Sequence, residues 1–321
     1  MIWLDLDQKK NNSFTMRDSL FHSKISLFGE YGVIIGSKGL IIPYNFYGGK
    51  LKLSLSNKDN NLSNNTLTAF SKYLKKIPNP LVDFNWKAME SDLDNYLYFE
   101  SDIPKGYGVG SSGALVASIY DRYATQKLEL LQGRNKLNHL KNIFSQMEDF
   151  FHGKSSGLDP LNSYLNSPIL INSKNLVEMI SLPLKKEFKN GAIFIMDTGK
   201  IKDTQKMVSS FMDRIKKKSF RDIINNEFIH FSEICIDNFL YGDFKSLIEN
   251  TRNLSSIVFD NFKPMIPIEI RELWKRGIEN NSYYLKLCGS GGGGFVLGFT
   301  KNINKARKEL IDYQLKIVYN I

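Results

Sequence analysis

The chain has 321 residues, of which 42% are hydrophobic and 12% aromatic, a globular composition long enough for about two domains. Its formal net charge is +10, but the basic residues are scattered and no zinc-finger, basic-zipper or RNA-binding signature accompanies them, so no nucleic-acid partner is expected. Two cysteines are too few for a disulfide framework, and neither a signal peptide nor an apolar run of the roughly 20 residues that span a bilayer is found, so a cytoplasmic protein outside the membrane is expected.

The N-terminal half opens with a polar segment rich in Asn and Lys, residues 1–15, which we predict to be a disordered extension before ordered structure begins near Met16. The Asn-rich stretch 57–66 predicts a surface loop or the lead-in to a helix, in which Ser63, Asn64 or Asn65 could cap the helix that follows. Hydrophobic patterning then predicts one strand and two helices, over residues 96–104, 113–130 and 135–152.

The C-terminal half begins with a predicted buried strand at 191–199, after which four helices are expected, over residues 203–217, 220–240, 243–258 and 267–279. A strand, a glycine loop and a second strand follow over 283–299, before a last helix and a closing strand. Helices and strands mix without the regular alternation of a doubly wound sheet. The fold class is therefore predicted as α+β, with two domains over 1–186 and 187–321.

The stretch IPKGYGVGSSGA, residues 103–114, places four glycines and two serines directly before a helical pattern. Glycines at such a position let a ligand approach the backbone closely, and the first turn of a helix offers unpaired N–H groups to an anion. The pattern therefore indicates a phosphate-binding loop, with a tight turn that binds nothing as the alternative.

Three familiar phosphate loops do not fit these glycines. A dinucleotide-binding loop needs a strand running straight into its first glycine, but Pro104 and Lys105 interrupt the strand here. The further motifs of protein kinases are missing from the sequence. The stretch HGKSSG (152–157) contains Gly-Lys-Ser, but Glu148 stands where a P-loop requires its first glycine.

Several stretches, in the right order, resemble the motifs of the GHMP kinases, a superfamily of small-molecule kinases that includes galacto-, homoserine and mevalonate kinases. The phosphate loop resembles their central signature, SKISLFGEYGVIIG (23–36) their N-terminal motif, and LKLCGSGGGGFVLGF (285–299) their C-terminal glycine-rich motif. EDFFHGKSSGLD (148–159) is especially similar to mevalonate kinases, and MDTGKIKDTQKMV (196–208) resembles the stretch that opens their second domain. The resemblance covers about residues 22 to 300.

The resemblance implies a two-domain GHMP kinase fold with the site between the domains. The N-terminal domain would contain a left-handed βαβ unit and the C-terminal domain would be ferredoxin-like. The implied activity is phosphorylation of a small-molecule alcohol with ATP and Mg²⁺, and the similarity to mevalonate kinases implies conversion of mevalonate to 5-phosphomevalonate in isoprenoid precursor synthesis. The oligomeric state, including a homodimer, is left open.

By the same resemblance, nucleotide phosphates would bind at seven loop residues: Gly106, Gly108, Gly110, Ser111, Ser112, Gly113 and Ala114. The Ser112 hydroxyl and the Glu148 carboxylate would hold Mg²⁺, a hard ion that takes few protein oxygens. Taken without the resemblance, Ser112 could simply cap the helix and Glu148 could be an exposed helix charge.

Asp159 is implied to take or orient the proton of the attacking hydroxyl. The alternative is an aspartate that hydrogen-bonds its own backbone in a turn beside Gly157 and Pro160. Lys24 is implied to lie beside this carboxylate and to lower the pKa of the alcohol, with an ordinary surface lysine as the alternative.

Five residues are implied to contact the substrate: Glu30, Tyr31, His152, Thr204 and Gly291. A hydrogen bond at the helix end is the alternative for His152.

Two positions depart from the mevalonate kinase pattern. Tyr31 stands where those enzymes usually have histidine, and Cys288 where the superfamily often has threonine. The substrate therefore stays open between mevalonate and another alcohol or sugar. A catalytically inactive relative that binds nucleotide is the alternative from another functional class.

Overall fold

The computed structural model describes residues 19–54, 61–127, 134–184, 186–201 and 204–321. The extension predicted over residues 1–15, and the predicted start of order near Met16, lie outside these ranges. The described chain forms two regions, each built on one antiparallel sheet and each carrying helices.

The first sheet has five strands: β1 (Phe21–Phe28), β2 (Gly39–Leu53), β3 (Leu97–Ser101), β4 (Ile169–Ile171) and β5 (Val177–Met179). The 15-residue β2 organises this sheet because it pairs with three other strands. It is antiparallel to β1 along most of its length, to β4 near its first residues and to β3 near its last residues. β5 completes the sheet against β4.

Six helices accompany this sheet: α1 (Glu30–Ile34), α2 (Asn61–Leu74), α3 (Trp86–Asp94), α4 (Ser111–Tyr123), α5 (Arg134–His152) and α6 (Leu158–Leu165). Most of α4 is buried, and its first turn packs against the first turn of α6. Gly113 allows this approach, since a Cβ atom there would lie 2.7 Å from the carbonyl carbon of Asp159. The two glycines that precede the helices, Gly110 and Gly157, have left-handed φ values of 83° and 71°.

The start of α2 corrects one prediction. The helix begins at Asn61, so Ser63, Asn64 and Asn65 lie inside it and do not cap it. Ser63 accepts a hydrogen bond from the backbone N–H of Phe99 at 3.0 Å, and the Asn64 amide donates to the carbonyl of Leu97 at 2.9 Å. These polar side chains hold α2 to strand β3, a contact that local sequence does not reveal.

The second sheet has four strands: β6 (Ala192–Asp197), β7 (Tyr284–Leu287), β8 (Phe295–Thr300) and β9 (Leu315–Asn320). Their spatial order is β7-β8-β6-β9, and all pairs are antiparallel. The accompanying helices are α7 (Thr204–Arg214), α8 (Lys218–Ile223), α9 (Ile229–Tyr241), α10 (Phe244–Asn261), α11 (Arg271–Glu279) and α12 (Ile303–Glu309).

Helices follow β6, β7 leads directly to β8, and α12 joins β8 to β9, which is the element order of a ferredoxin-like unit. This arrangement and the first sheet confirm the predicted α+β class. The left-handed βαβ unit stays a prediction. None of the helices in the described ranges is both long enough and apolar enough to cross a membrane.

The larger cluster of buried apolar side chains contains residues of both regions. It joins Leu27 and Ala117 of the first region to Ile195 and Phe211 of the second. The predicted domain boundary after residue 186 falls between the two sheets and stays a prediction, because this shared core packs the regions together.

Gly113→Ala is expected to destabilise the protein, although alanine is normally the better helix former by about 1 kcal/mol. The added methyl group would meet the backbone of Asp159 and Pro160 at 2.7 and 2.8 Å, so α4 and α6 would have to separate. Thermal unfolding should show a lower Tm. A Tm equal to or above that of the unmodified protein would contradict this account of the helix contact.

Candidate active site

A cavity of about 1110 Å³ opens where the two regions meet, larger than the roughly 300–1,000 Å³ of an ordinary small-molecule pocket. Polar and charged residues of both regions line it: Lys24, Ser63, Thr66, Ser101, Lys105, Ser111, Ser112, Glu148, His152, Lys154, Ser155, Ser156 and Asp159 from the first region, and Thr204, Gln205, Ser209 and Ser290 from the second. The volume is sufficient for two reactants at once.

The predicted phosphate loop forms one wall of this cavity. Gly106, Gly108 and Gly110 all have φ values between 75° and 83°, which side chains rarely adopt. They lead into α4, whose first turn has no side-chain cap. Because Ser111 and Ser112 line the cavity, the N–H groups of this turn and the positive end of the helix dipole face a position suited to an anion.

The phosphate loop also touches the second glycine loop, residues 289–294. A Cβ atom on Gly294 would lie 2.7 Å from the Cα of Tyr107, so this contact requires glycine. The Tyr107 ring packs edge-on against Phe295, with 5.0 Å between the ring centroids. The phosphate loop is thereby fixed between the two regions.

Lys24 and Asp159 form an ion pair at the cavity, with 2.9 Å between Nζ and Oδ1. Lys24 lies on β1 and is nearly fully buried, whereas Asp159 lies in the first turn of α6 with 32% of its side chain exposed. Burial by itself would lower the pKa of Lys24, but the attraction of Asp159 and the hydrogen bond outweigh it, so the pKa is raised. Lys24 therefore stays a cation beside the Asp159 carboxylate.

Glu148, on α5, is the second buried charge at this site. Its carboxylate accepts hydrogen bonds from Ser112 at 3.0 Å and from Ser155 at 2.5 Å. Burial and the nearby Asp159 charge raise the pKa of Glu148 to about 7. Nε2 of His152 lies 2.9 Å from the same Ser112 hydroxyl, so His152 also faces the cavity.

The opposite wall comes from the second region. Thr204 and Gln205 begin α7, and Ser290 follows strand β7 in the glycine loop. The Thr204 and Ser290 hydroxyl oxygens lie 3.4 Å apart. Ten of the predicted site residues therefore line the cavity: Lys24, Gly106, Gly108, Gly110, Ser111, Ser112, Glu148, His152, Asp159 and Thr204.

Five predicted residues lie outside the cavity lining among the residues described. Gly113 and Ala114 are buried against other elements, and Gly291 packs against Met265. Glu30 pairs with Lys286, and the Tyr31 hydroxyl donates to the Ser290 carbonyl at 2.6 Å. Because Glu30 and Tyr31 are engaged between the two regions, the structure does not present them to a ligand in the cavity.

Sequence reasoning missed two sets of residues. Ser155 lies within a quoted motif, but only the structure shows that its hydroxyl holds Glu148. The other set also lines the cavity and comes from three separate segments: Ser63, Thr66, Phe99, Ser101, Ile103 and Leu115. No local pattern links these segments, so no sequence signal could have found them.

The donor set fits a magnesium ion better than a caged transition metal. In the described part of the chain no group of three His, Cys, Asp or Glu side chains could enclose a metal. Ser112 and Glu148 offer hard oxygen ligands beside the phosphate loop, and Mg²⁺ takes one or two protein oxygens and leaves the rest to phosphate and water.

Known proteins resemble this chain in sequence along much of its length. The mevalonate kinase of Archaeoglobus fulgidus is 24% identical over 288 residues, which cover 87% of this chain and 90% of that one. The D-glycero-α-D-manno-heptose 7-phosphate kinase of Campylobacter jejuni is 24% identical over 247 residues, which cover 72% of this chain and 68% of that one. No protein-family model matches the chain.

Solved structures share the fold. Lactococcus lactis galactokinase, in complex with galactose, matches with a TM-score of 0.59 and 14% identity over 93% of this chain and 92% of that one. Methanococcus jannaschii mevalonate kinase matches with a TM-score of 0.58 and 18% identity over 93% and 96%. The chain has the fold of the GHMP kinases, which confirms the resemblance predicted from its motifs. In sequence it is similar to a mevalonate kinase and, at the same 24% identity, to a heptose 7-phosphate kinase.

Glu148→Gln is expected to stabilise the metal-free protein at neutral pH. Since the pKa of Glu148 is raised from 4.5 to about 7, the folded protein binds a proton that the unfolded chain releases between these pH values. Stability should therefore fall as pH rises through this window, a fall that glutamine cannot show, and the gain at pH 8 should be on the order of 1 kcal/mol or more.

Denaturant unfolding at pH 5 and pH 8, with EDTA present, measures this difference. Glu90→Gln, which removes an exposed carboxylate in α3, is the control and should leave the pH dependence unchanged. The account of Glu148 is wrong if Glu148→Gln loses as much stability between the two pH values as the unmodified protein.

Proposed function

We propose that the protein is a kinase that uses ATP and Mg²⁺ to phosphorylate a small-molecule alcohol, and that this alcohol is mevalonate. The observation that carries the proposal is the meeting of two polar pairs in one cavity: Lys24 with Asp159 at 2.9 Å and Ser112 with Glu148 at 3.0 Å. Phosphoryl transfer needs a positioned phosphate, neutralised charge and a group that handles the hydroxyl proton. These pairs and the phosphate loop offer all three.

The nucleotide phosphates would lie on the loop from Gly106 to Ser112, where the backbone N–H groups at the start of α4 can hold them. The apolar side chains of Phe99, Ile103 and Leu115, which also line the cavity, suit the base. In this proposal the nucleotide would lie mostly on the predicted first domain, residues 1–186.

The magnesium ligands would be the Ser112 hydroxyl and the Glu148 carboxylate. The fit rests on a buried carboxylate whose pKa is raised, because a bound divalent cation would favour its ionised form. When bound there, Mg²⁺ neutralises phosphate charge and orients the transferred group. Ser155 keeps the carboxylate in place through its hydrogen bond to Oε2.

The alcohol would be placed by Asp159 and Lys24. The Asp159 carboxylate is partly exposed to the cavity, so it can accept the proton of a hydroxyl group that lies beside it. Lys24 remains charged and stabilises the negative charge that develops on the attacking oxygen. Thr204 and Ser290, from the predicted second domain 187–321, would form the far side of the alcohol site.

Mevalonate is favoured as the alcohol by two observations. The motif at residues 148–159 is of the mevalonate kinase type, and a relative named mevalonate kinase aligns with 87% of the chain. The product would then be 5-phosphomevalonate, an isoprenoid precursor.

A sugar or sugar phosphate is the second candidate. A heptose 7-phosphate kinase has the same 24% identity over a shorter part of the chain, and Gln205 and Ser209 add neutral hydrogen-bonding groups to the cavity wall.

An ADP-release assay over mevalonate, phosphomevalonate, homoserine, galactose and heptose 7-phosphate tests the substrate. Mevalonate should give the highest kcat/KM of the panel. A sugar turned over far more efficiently would replace mevalonate by the second candidate. Binding of ATP without ADP release on any alcohol would show a catalytically inactive nucleotide-binding protein instead.

Asp159→Asn is expected to lower kcat by at least about 100-fold, the lower limit of what a positioned proton acceptor contributes. The affinity for ATP should hardly change, because the phosphate loop and the pair of Ser112 with Glu148 are left intact. Steady-state kinetics with the best alcohol and a nucleotide-binding titration measure the two effects.

Asp121→Asn is the matched control, because Asp121 also pairs with a lysine, Lys127, at 2.9 Å but does not line the cavity. It should keep the kcat of the unmodified enzyme. A folded Asp159→Asn enzyme with near-normal kcat would show that Asp159 is a turn residue without a part in proton transfer.

A further inference from the structure

The short helix α1 is the point at which the first region holds the glycine loop of the second. Its first two residues are Glu30 and Tyr31, and both reach across to the segment 286–290. Glu30 forms an ion pair with Lys286 in which both side chains are at most 4% exposed. Tyr31 donates its hydroxyl to the carbonyl of Ser290 at 2.6 Å. The two contacts fix the segment at both ends.

The ring of Tyr31 contacts the other element that forms the same cavity wall. It stacks on Phe211, with 4.4 Å between the ring centroids, and it also packs against Phe262. Phe211 belongs to α7, the helix that starts at Thr204. One buried side chain from the first region therefore touches both segments that the second region contributes to the cavity.

This wall faces the side of the cavity where the alcohol would bind. The Lys286 ammonium lies 5.3 Å from the centroid of Phe28, on the strand that also carries Lys24. Ser290, in the loop that follows Lys286, lines the same cavity as Lys24.

We propose that Tyr31 is a positioning residue for the alcohol site, which acts through the Ser290 carbonyl and the Phe211 ring and does not touch the substrate itself. This role rests on the proposed kinase function. The Tyr31 side chain is 2% exposed and lies outside the cavity lining, and its one hydroxyl proton is already donated to Ser290. Loss of that proton donor would leave a buried carbonyl unpaired and free the loop to shift.

Tyr31→Phe removes the hydroxyl and keeps the stacked ring, so the variant should fold. We expect the KM for the alcohol to rise by about tenfold, the upper range of what one hydrogen bond contributes, because binding of the alcohol depends on the position of this wall. The kcat and the KM for ATP should change less than about threefold, since an interaction made equally in the ground and transition states affects KM alone.

Tyr44→Phe is the matched control. Tyr44 is also a buried tyrosine of the first region, and its hydroxyl has no hydrogen-bond partner among the described residues. Its removal should leave all kinetic constants unchanged.

A double-mutant cycle with Ser290→Ala separates positioning from direct contact. If Tyr31 acts through the loop, the effects of Tyr31→Phe and Ser290→Ala on the KM for the alcohol should be less than additive. Additive effects would show that Tyr31 contacts the substrate independently and would overturn the proposal. An unchanged KM for the alcohol in Tyr31→Phe, or an equal rise in both KM values, would overturn it as well.

Amide hydrogen exchange gives a readout that needs no turnover. Exchange over residues 288–294 should accelerate in Tyr31→Phe and stay unchanged in Tyr44→Phe, and equal exchange in both variants would contradict the positioning role. If the unmodified protein phosphorylates no alcohol in the panel, the proposed kinase function fails, and the exchange result still decides whether Tyr31 holds the loop.

Discussion

The ion pair between Lys24 and Asp159 is the constraint on which the rest of the site depends. A nearly buried ammonium is costly unless a carboxylate lies against it, and the pair here is satisfied across 2.9 Å. The requirement brings the middle of β1 to the first turn of α6. Helix α4 packs against the same turn of α6. This close approach of the two backbones requires a glycine at position 113. One polar contact thus fixes the positions of a strand and two helices.

Glu148 is the second buried charge whose position is fixed by several elements. Its carboxylate is held by hydroxyl groups from two directions, Ser112 at the start of α4 and Ser155 in the loop before α6. Burial and the nearby Asp159 charge nevertheless raise the pKa of Glu148, because they outweigh these hydrogen bonds and the attraction of Lys24. A buried carboxylate with a raised pKa makes the folded protein less stable above that pKa than a neutral side chain would, whereas a cation at the proposed magnesium site would favour its charged form. The proposed function and the stability of the folded protein therefore oppose each other at Glu148.

The two regions share a core and form a single structural frame for the cavity. Buried apolar residues continue from one sheet to the other, and the Glu30 and Tyr31 contacts fasten the glycine loop to the first region. The groups proposed to act on phosphate and proton lie in the first region, whereas much of the wall that would select the alcohol lies in the second. This separation is consistent with relatives that share the fold and differ in the substrates that their names state.

The sequence by itself determined the class of fold, and it predicted the residues of the proposed reacting centre. Glycines before a helical pattern predict the phosphate loop, because glycine readily adopts the positive φ values found there. The roles of Lys24, Glu148 and Asp159 are implied by the resemblance of their motifs to those of the GHMP kinases, and the structure brings the three side chains to one cavity. The sequence also predicted helix α5 closely, since that helix ends at a glycine that stops it.

Only the tertiary structure decided which of the remaining residues reach the cavity. Ser63 and Asn64 look like helix caps in sequence but bind strand β3. Tyr31 is implied by the resemblance to contact the substrate, but its ring packs against those of Phe211 and Phe262. Their neighbours in space are 33 to 36 residues away for the first two and 180 to 231 residues away for the rings, so no local pattern could predict the contacts. The partner of a polar or aromatic side chain depends on which groups the fold brings next to it. Those groups come from distant parts of the sequence, so local sequence does not specify them.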